Sequence, residues 1–282
     1  MRGKTAQARE RLASLGDRTL HVLVRLWAAL GFLFVLAPLA LVVWLSLFEN
    51  EIPYVPPRGY TLRWFQSAFE NPEFSDGFLL SLQVALVATA IGLAVSIPAT
   101  LALRRSTSAW GQAAVQLLTA PLIVPTIVVG AGIYVSLIVV ELVTSWSVAG
   151  SFWTLCLAHV LLTIPWAVRL LLANLEGVDP SIEEAAASLG ATPAGAVGLV
   201  TLPLIRSGVV AAALFSFVAS FGNIELSLFL VAPGRTTLPI AILQYLQFKV
   251  DPTVAAVSVV QIAIITAALL VCDRFVKLTK VV

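Results

Sequence analysis

Six separate stretches of this chain are long and apolar enough to cross a bilayer, roughly Leu26 to Phe48, Phe78 to Leu103, Val115 to Val140, Phe152 to Leu172, Gly208 to Val231 and Val254 to Val271. A helix needs about 20 apolar residues for the hydrocarbon core. Inside lipid an isolated strand would leave its backbone polar groups unpaired, so each stretch is expected to be a helix. Composition agrees: charged residues are 11% of the chain, against about 25% in soluble domains. Too little polar surface is left to keep the chain dispersed in water. The expected fold class is therefore an all-α membrane protein with six transmembrane helices.

Orientation follows from Lys and Arg. Arg2, Lys4, Arg9, Arg11, Arg18 and Arg25 precede the first span, Arg104 and Arg105 follow the second, Arg169 and Arg206 flank the segment between spans four and five, and Arg274, Lys277 and Lys280 end the chain. The opposite side has only Arg58, Arg63, Arg235 and Lys249. Thirteen of the 17 thus fall on one side, which the positive-inside rule makes cytoplasmic, with both termini. The first apolar run is too long and begins too late for a cleavable signal peptide. A net charge of only +2 gives no case for a nucleic-acid partner.

The outer loop between spans one and two carries Glu49, Glu51, Glu70, Glu73 and Asp76. Its Pro53, Pro56 and Pro57 mark extended chain. Within it Thr61–Phe69 has the pattern of a short amphipathic helix. Pro38, Pro98, Pro121, Pro125 and Pro165 fall inside spans, where each removes a backbone donor and can kink its helix. Cys156 and Cys272 have no spacing that suggests a disulfide or a metal site and read as small buried hydrophobes. His159, alone in an apolar run, reads as a residue bonded within the bundle.

The long inner segment between spans four and five, residues 174–207, has strong local signals. Asp179 precedes Pro180, and proline suits the first turn of a helix. Ser181 with Glu184 has capping-box spacing, and Glu183 and Glu184 sit where a helix dipole favours acid. Ala185, Ala186, Ala187 and Leu189 continue the helix, and Gly190 can end it in a left-handed turn. Thr192 and Pro193 start a second short helix to about Val200, closed by Leu202 and Pro203. The expected element is a helix–turn–helix with small residues on one face.

The residues Glu184-Ala185-Ala186, then Gly190, Val200 and Leu202-Pro203 also match a family pattern. Binding-protein-dependent ABC transporter permeases have Glu-Ala-Ala, three residues, Gly, nine residues, Ile, one residue, then Leu-Pro. Every spacing matches, and Val stands for Ile. The chain resembles that family from about Gly77 to Asp273. The resemblance implies the type I ABC importer permease fold, with a cytoplasmic segment at 1–25, a first helix and outer loop at 26–76, the transmembrane domain at 77–273 and a tail at 274–282. It implies that Ser181, Glu184, Ala185, Ala186, Leu189, Gly190, Val200, Leu202 and Pro203 dock on an ABC ATPase dimer. That partner would hold the ATP and Mg, leaving no cofactor on this chain. A second permease subunit, a periplasmic solute-binding protein and a bacterial inner membrane complete the implied assembly.

Tyr60 to Phe65 and the stretch Gly234 to Val257 resemble the spermidine/putrescine permease branch, which also includes importers of iron(III) and aminoethylphosphonate. Its polyamine members tend to have adjacent aspartates in span five, where this chain has Gly222-Asn223. Glu225, read as a carboxylate deep in that span, is costly to bury and should face water or the bundle interior. With Asn223 and Gln83 it is the candidate contact for a cationic or zwitterionic solute; a structural bond within the bundle is the alternative. A secondary transporter would more often carry several intramembrane charges or matched broken helices. The chain contains no Gly-x-x-x-x-Gly-Lys phosphate loop and no metalloprotease or serine-nucleophile motif, which argues against an enzyme.

Overall fold

In the computed structural model, residues 2–104, 106 and 108–276 are described, with side chains from Leu20 to Asp273. Arg105, Lys277, Lys280 and the rest of the tail beyond Val276 lie outside these residues. So do the side chains of Arg2, Lys4, Arg9, Arg11, Arg18 and Arg274. The described chain is helical, with isolated bridges and no strand. Its helices are α1 (Arg2–Leu45), α2 (Arg63–Glu70), α3 (Pro72–Leu103), α4 (Ala109–Thr119), α5 (Thr126–Thr144), α6 (Phe152–Glu176), α7 (Pro180–Ser188), α8 (Pro193–Ala196), α9 (Leu202–Leu204), α10 (Arg206–Phe221), α11 (Ser227–Leu230), α12 (Leu238–Phe248) and α13 (Thr253–Val276).

Local chemistry sets several starts. Asn71 caps α3 by accepting from the Glu73 amide at 2.9 Å, with Pro72 in the first turn. Ser151 caps α6 through the Thr154 amide at 3.2 Å. These bonds satisfy donors that a helix start otherwise leaves open.

Among the described residues, five helices are long and apolar enough to cross a membrane: Leu20–Leu45, Pro72–Leu103, Thr126–Thr144, Phe152–Glu176 and Thr253–Asp273. A sixth exists if Pro193–Leu204 and Arg206–Phe221, bent by 71°, form one span. Two expected spans change shape. Val115 to Val140 is not one helix: α4 ends at Thr119, a 3₁₀ turn spans Ala120–Leu122, and α5 begins after Pro125. Two prolines about one helical turn apart, Pro121 and Pro125, each remove a backbone donor, and together they break the helix instead of bending it. Gly208 to Val231 is also interrupted, because α10 stops at Phe221 and only a short α11 follows.

The chain divides into two compact units, residues 1–65 with 251–259, and residues 66–250 with 260–282. In the first, Phe48 is fully buried, edge-on to Trp44 and Tyr60, and its carbonyl accepts from Trp64 Nε1 at 2.6 Å. The Tyr60–Phe65 stretch thus folds back on the end of α1. The apolar part of α1 has no buried residue within its own unit, a surface suited to lipid or another protein.

In the second unit α3, α6 and α10 pack on one another, with α12 against α3. Close approach depends on small residues: a Cβ at Gly92 of α3 would collide with Thr163 of α6, whose hydroxyl donates to the Ala88 carbonyl at 3.1 Å. One apolar cluster joins Ala167, Leu171, Leu175, Ile205 and Ala212 near α9; another joins Val84, Leu155, Cys156, Leu226 and Leu230 at the far end. Cys156 lies buried there with a free thiol, as a small hydrophobe would.

Candidate functional site

The segment after α6 folds into a short helical hairpin. Asp179 is the N-cap of α7, accepting from the Ser181 amide at 2.9 Å, with Pro180 in the first turn. That amide bond holds the Asp179 carboxyl below the usual carboxylate range. The capping box expected from Ser181 and Glu184 does not form. Asp179 stands directly before the proline and takes the cap, so Ser181 is already inside the helix.

The helix ends as expected. Gly190 has a φ of +89°, its amide bonds the Ala187 carbonyl at 2.9 Å, and the Ala191 amide bonds the Ala186 carbonyl at 3.0 Å. This pair of bonds is a Schellman motif. Thr192 then caps α8 by accepting from the Gly195 amide at 3.1 Å, with Pro193 in the first turn.

Beyond α8 the chain widens into a π-helical turn over Val197–Thr201, in which the Leu202 amide reaches the Val197 carbonyl. The wide turn lies just ahead of Pro203, which lacks a donor and would crowd the carbonyl four residues back. Ile205, 1% exposed, forms the corner at which the axis turns by 71° into α10.

The motif residues take two positions. Ser181, Glu184, Ala185, Leu189, Gly190 and Pro203 are exposed, whereas Ala186, Val200 and Leu202 are half-buried. Leu189 is 89% exposed and Leu199 81%. Large apolar side chains exposed to this degree on a capped turn suit a protein partner.

Sequence reasoning missed Glu183 as the anchor. Its carboxylate accepts from Arg104 at 2.8 Å and from the Thr201 hydroxyl at 2.6 Å, and Arg104 also donates to the Val178 carbonyl at 3.3 Å. The Arg104 and Glu183 side chains are each only 10% exposed. One carboxylate therefore joins the end of α3, the middle of α7 and the π turn. Arg104 had signalled only orientation, and a separation of 79 positions hides the pairing from any local pattern.

The residues considered for a solute pathway lie on two parts of the chain, Gln83 on α3 and Asn223 with Glu225 after α10. Glu225 lies in the turn between α10 and α11, exposed, and not within a helix. Gly222 is a poor helix residue and Asn223 competes for backbone donors: its Oδ1 accepts from the Leu226 amide at 2.8 Å. His159 bridges the two sides of this break, with Nδ1 2.8 Å from the Ser220 hydroxyl and Nε2 3.1 Å from that of Ser227. The buried histidine is thus bonded within the bundle. Gln83 sits on an exposed face of α3. Among the described residues no cluster of His, Cys, Asp or Glu could hold a metal ion.

Residues 92–279, a span that contains the whole hairpin, match the family described as binding-protein-dependent transport system inner membrane component. The chain belongs to this family. Among its relatives, the putrescine transport system permease protein PotI of Escherichia coli is 28% identical over 230 residues, covering 81% of this chain and 82% of PotI. The putative 2-aminoethylphosphonate transport system permease protein PhnV of Salmonella typhimurium is 29% identical over 253 residues, covering 89% of this chain and 92% of PhnV. The fold is shared with a chain of a bacterial ABC transporter that imports the acidic polysaccharide alginate, at a TM-score of 0.70 and 12% identity over 92% of this chain and 97% of that one. It is shared also with a chain of the MetNI methionine ABC transporter, at a TM-score of 0.58 and 20% identity over 74% and 96%.

Proposed function

We propose that this permease forms half of the translocation pathway of an ATP-driven importer for a small solute bearing an amino group, a polyamine or an amino-acid-like compound. The observation that carries the reading is the hairpin: a motif-bearing element, capped at both helices and anchored through Glu183, that presents Leu189 and Glu184 outward. Its partners are an ABC ATPase dimer that binds ATP and Mg, a second permease subunit and a periplasmic solute-binding protein. The relatives named for putrescine and 2-aminoethylphosphonate support an amino-bearing cargo. Other cargoes of the same branch, iron(III) among them, are the alternative. In this reading ATP closes the ATPase pair, the hairpin carries the movement into the bundle, the pathway opens to accept cargo from the binding protein, and hydrolysis resets it.

The primary test is co-purification. Solubilised from its own membranes, the chain should bring an ABC ATPase with it; recovery without one, with transport intact in ATP-depleted cells, would make it a secondary transporter. Its orientation is checked by thiol labelling in intact cells. A cysteine at Ser188 or Ser106 should resist a membrane-impermeant reagent, while one at Ser67 should react. The reverse pattern would overturn the cytoplasmic placement of the hairpin.

Glu225 supplies a third expectation. In the turn after α10 its carboxylate is free to meet a cationic group of the cargo, and Glu225→Gln keeps the shape while removing the charge. Uptake of whichever of putrescine, spermidine and 2-aminoethylphosphonate the importer carries should fall at least tenfold at equal membrane abundance, with basal ATP hydrolysis unchanged. Undiminished uptake would assign Glu225 a structural role.

A further inference from the structure

The two adjacent glutamates of α7 face different ways. Glu184 is exposed, while Glu183 lies between Arg104, Thr201 and the turn at Val178. Along the backbone the hairpin reaches the bundle by two routes, through Gly177 to α6 and through Ile205 to α10. It has no adjacent covalent route to α3, whose last residue, Leu103, directly precedes Arg104.

Packing closes that gap only at the roots of the hairpin, where Ile97 and Leu101 of α3 pack on the same apolar cluster as Val178 and Leu202. A recess of about 280 Å³ remains between the end of α3 and the hairpin, lined by Leu101, Ala187, Ala191 and Val197 together with the ion pair itself. Small alanine side chains leave the hairpin out of close contact with α3 there. A buried pair is costly to desolvate, and apolar side chains of similar volume usually serve stability as well. What an Arg–Glu pair adds is a tie of fixed length and direction, since the guanidinium donates in set directions and here engages both Glu183 and Val178.

We propose that Arg104 and Glu183 are positioning residues for coupling: they make α3 follow the hairpin when the ATPase moves it. This rests on the reading of the hairpin as the ATPase dock, and the test separates the two. The assembled importer, purified with its ATPase into lipid nanodiscs, carries Cys272→Ser and one of two reporters. A cysteine at Leu189 reports cross-linking to the ATPase. A cysteine at Ala90, exposed on α3, carries an environment-sensitive fluorophore.

Trapping with ATP and vanadate should shift the Ala90 signal in the otherwise unaltered chain. Arg104→Met should reduce that shift at least tenfold while the Leu189 cross-link persists, and the exchange Arg104→Glu with Glu183→Arg should restore most of it. If Arg104→Met does not assemble, Glu183→Gln, which keeps an acceptor for Thr201 but removes the charge, is read in the same way. A full shift in a single variant, no restoration by the exchange, or no shift in the unaltered chain overturns the proposal. Absence of the Leu189 cross-link in the unaltered chain overturns instead the docking reading on which it rests.

Discussion

Replacing Gly190 with valine should abolish transport while leaving the bundle in the membrane. The residue sits at a φ of +89° with no atom within 4 Å of where a Cβ would stand, so the obstacle is conformational and not a collision. A left-handed backbone costs an L-residue roughly 1–2 kcal/mol, and a β-branched one more. The hairpin is exposed and has few contacts with which to offset that cost, so relaxing the turn is its cheapest response. Both Schellman bonds would then be lost and Leu189 would leave its position. We expect co-purification of the ATPase to fall at least tenfold and uptake to fall to background. Gly190→Asn is the control, because asparagine tolerates the left-handed region; it should retain most of the uptake. Equal loss in both variants would show that more than the turn conformation is at stake.

Gly92→Leu should fail earlier, at folding. Here space is the obstacle, since a Cβ would meet Thr163, whose own Cβ would lie only 2.9 Å away. Thr163 is tied to the Ala88 carbonyl, and its own carbonyl accepts from Ser216 at 3.1 Å, so yielding would disturb α3, α6 and α10 together. Overpacking of this kind costs about 1–3 kcal/mol before the rest of the leucine is counted. Monodisperse protein recovered from membranes should drop severalfold. Gly132→Leu, at a position with nothing within 4 Å, should be recovered at the level of the unaltered chain. Similar recovery of both variants would contradict the close approach of α3 and α6.

The two glycines illustrate what a sequence can reveal. Gly190 was legible because a helix terminus is written in consecutive residues, as were Asp179, Pro180, Thr192 and Pro193. Gly92 was not, because its significance lies in Thr163, 71 positions away. The same distance effect concealed the bond between Glu183 and Arg104. Hydropathy located the membrane segments but was blind to their breaks. Ile123 and Val124, in the gap before α5, are as apolar as any helical residue, so an average runs through them. Glu225 was assigned to a position deep in a span for the same reason, although Gly222 and Asn223, three and two residues earlier, carried the local signal for a stop. The family motif was readable from its spacing; which of the adjacent Glu183 and Glu184 faces inward was not.

The corner at Ile205 has a geometric consequence. The limb from Pro193 to Leu204 leads through the π turn directly into that corner. It meets α10 at 71°, so a thrust along that limb has only about a third of its length, the cosine of the angle, directed along α10. The larger component acts crosswise. The corner residue is fully packed among Ala167, Leu171, Leu175 and Ala212 and offers a fixed fulcrum. A bell crank works on this principle, turning a push in one direction into a swing in another. With this joint, force applied at the hairpin would rock α10 sideways about its buried end and would slide it little along its own axis.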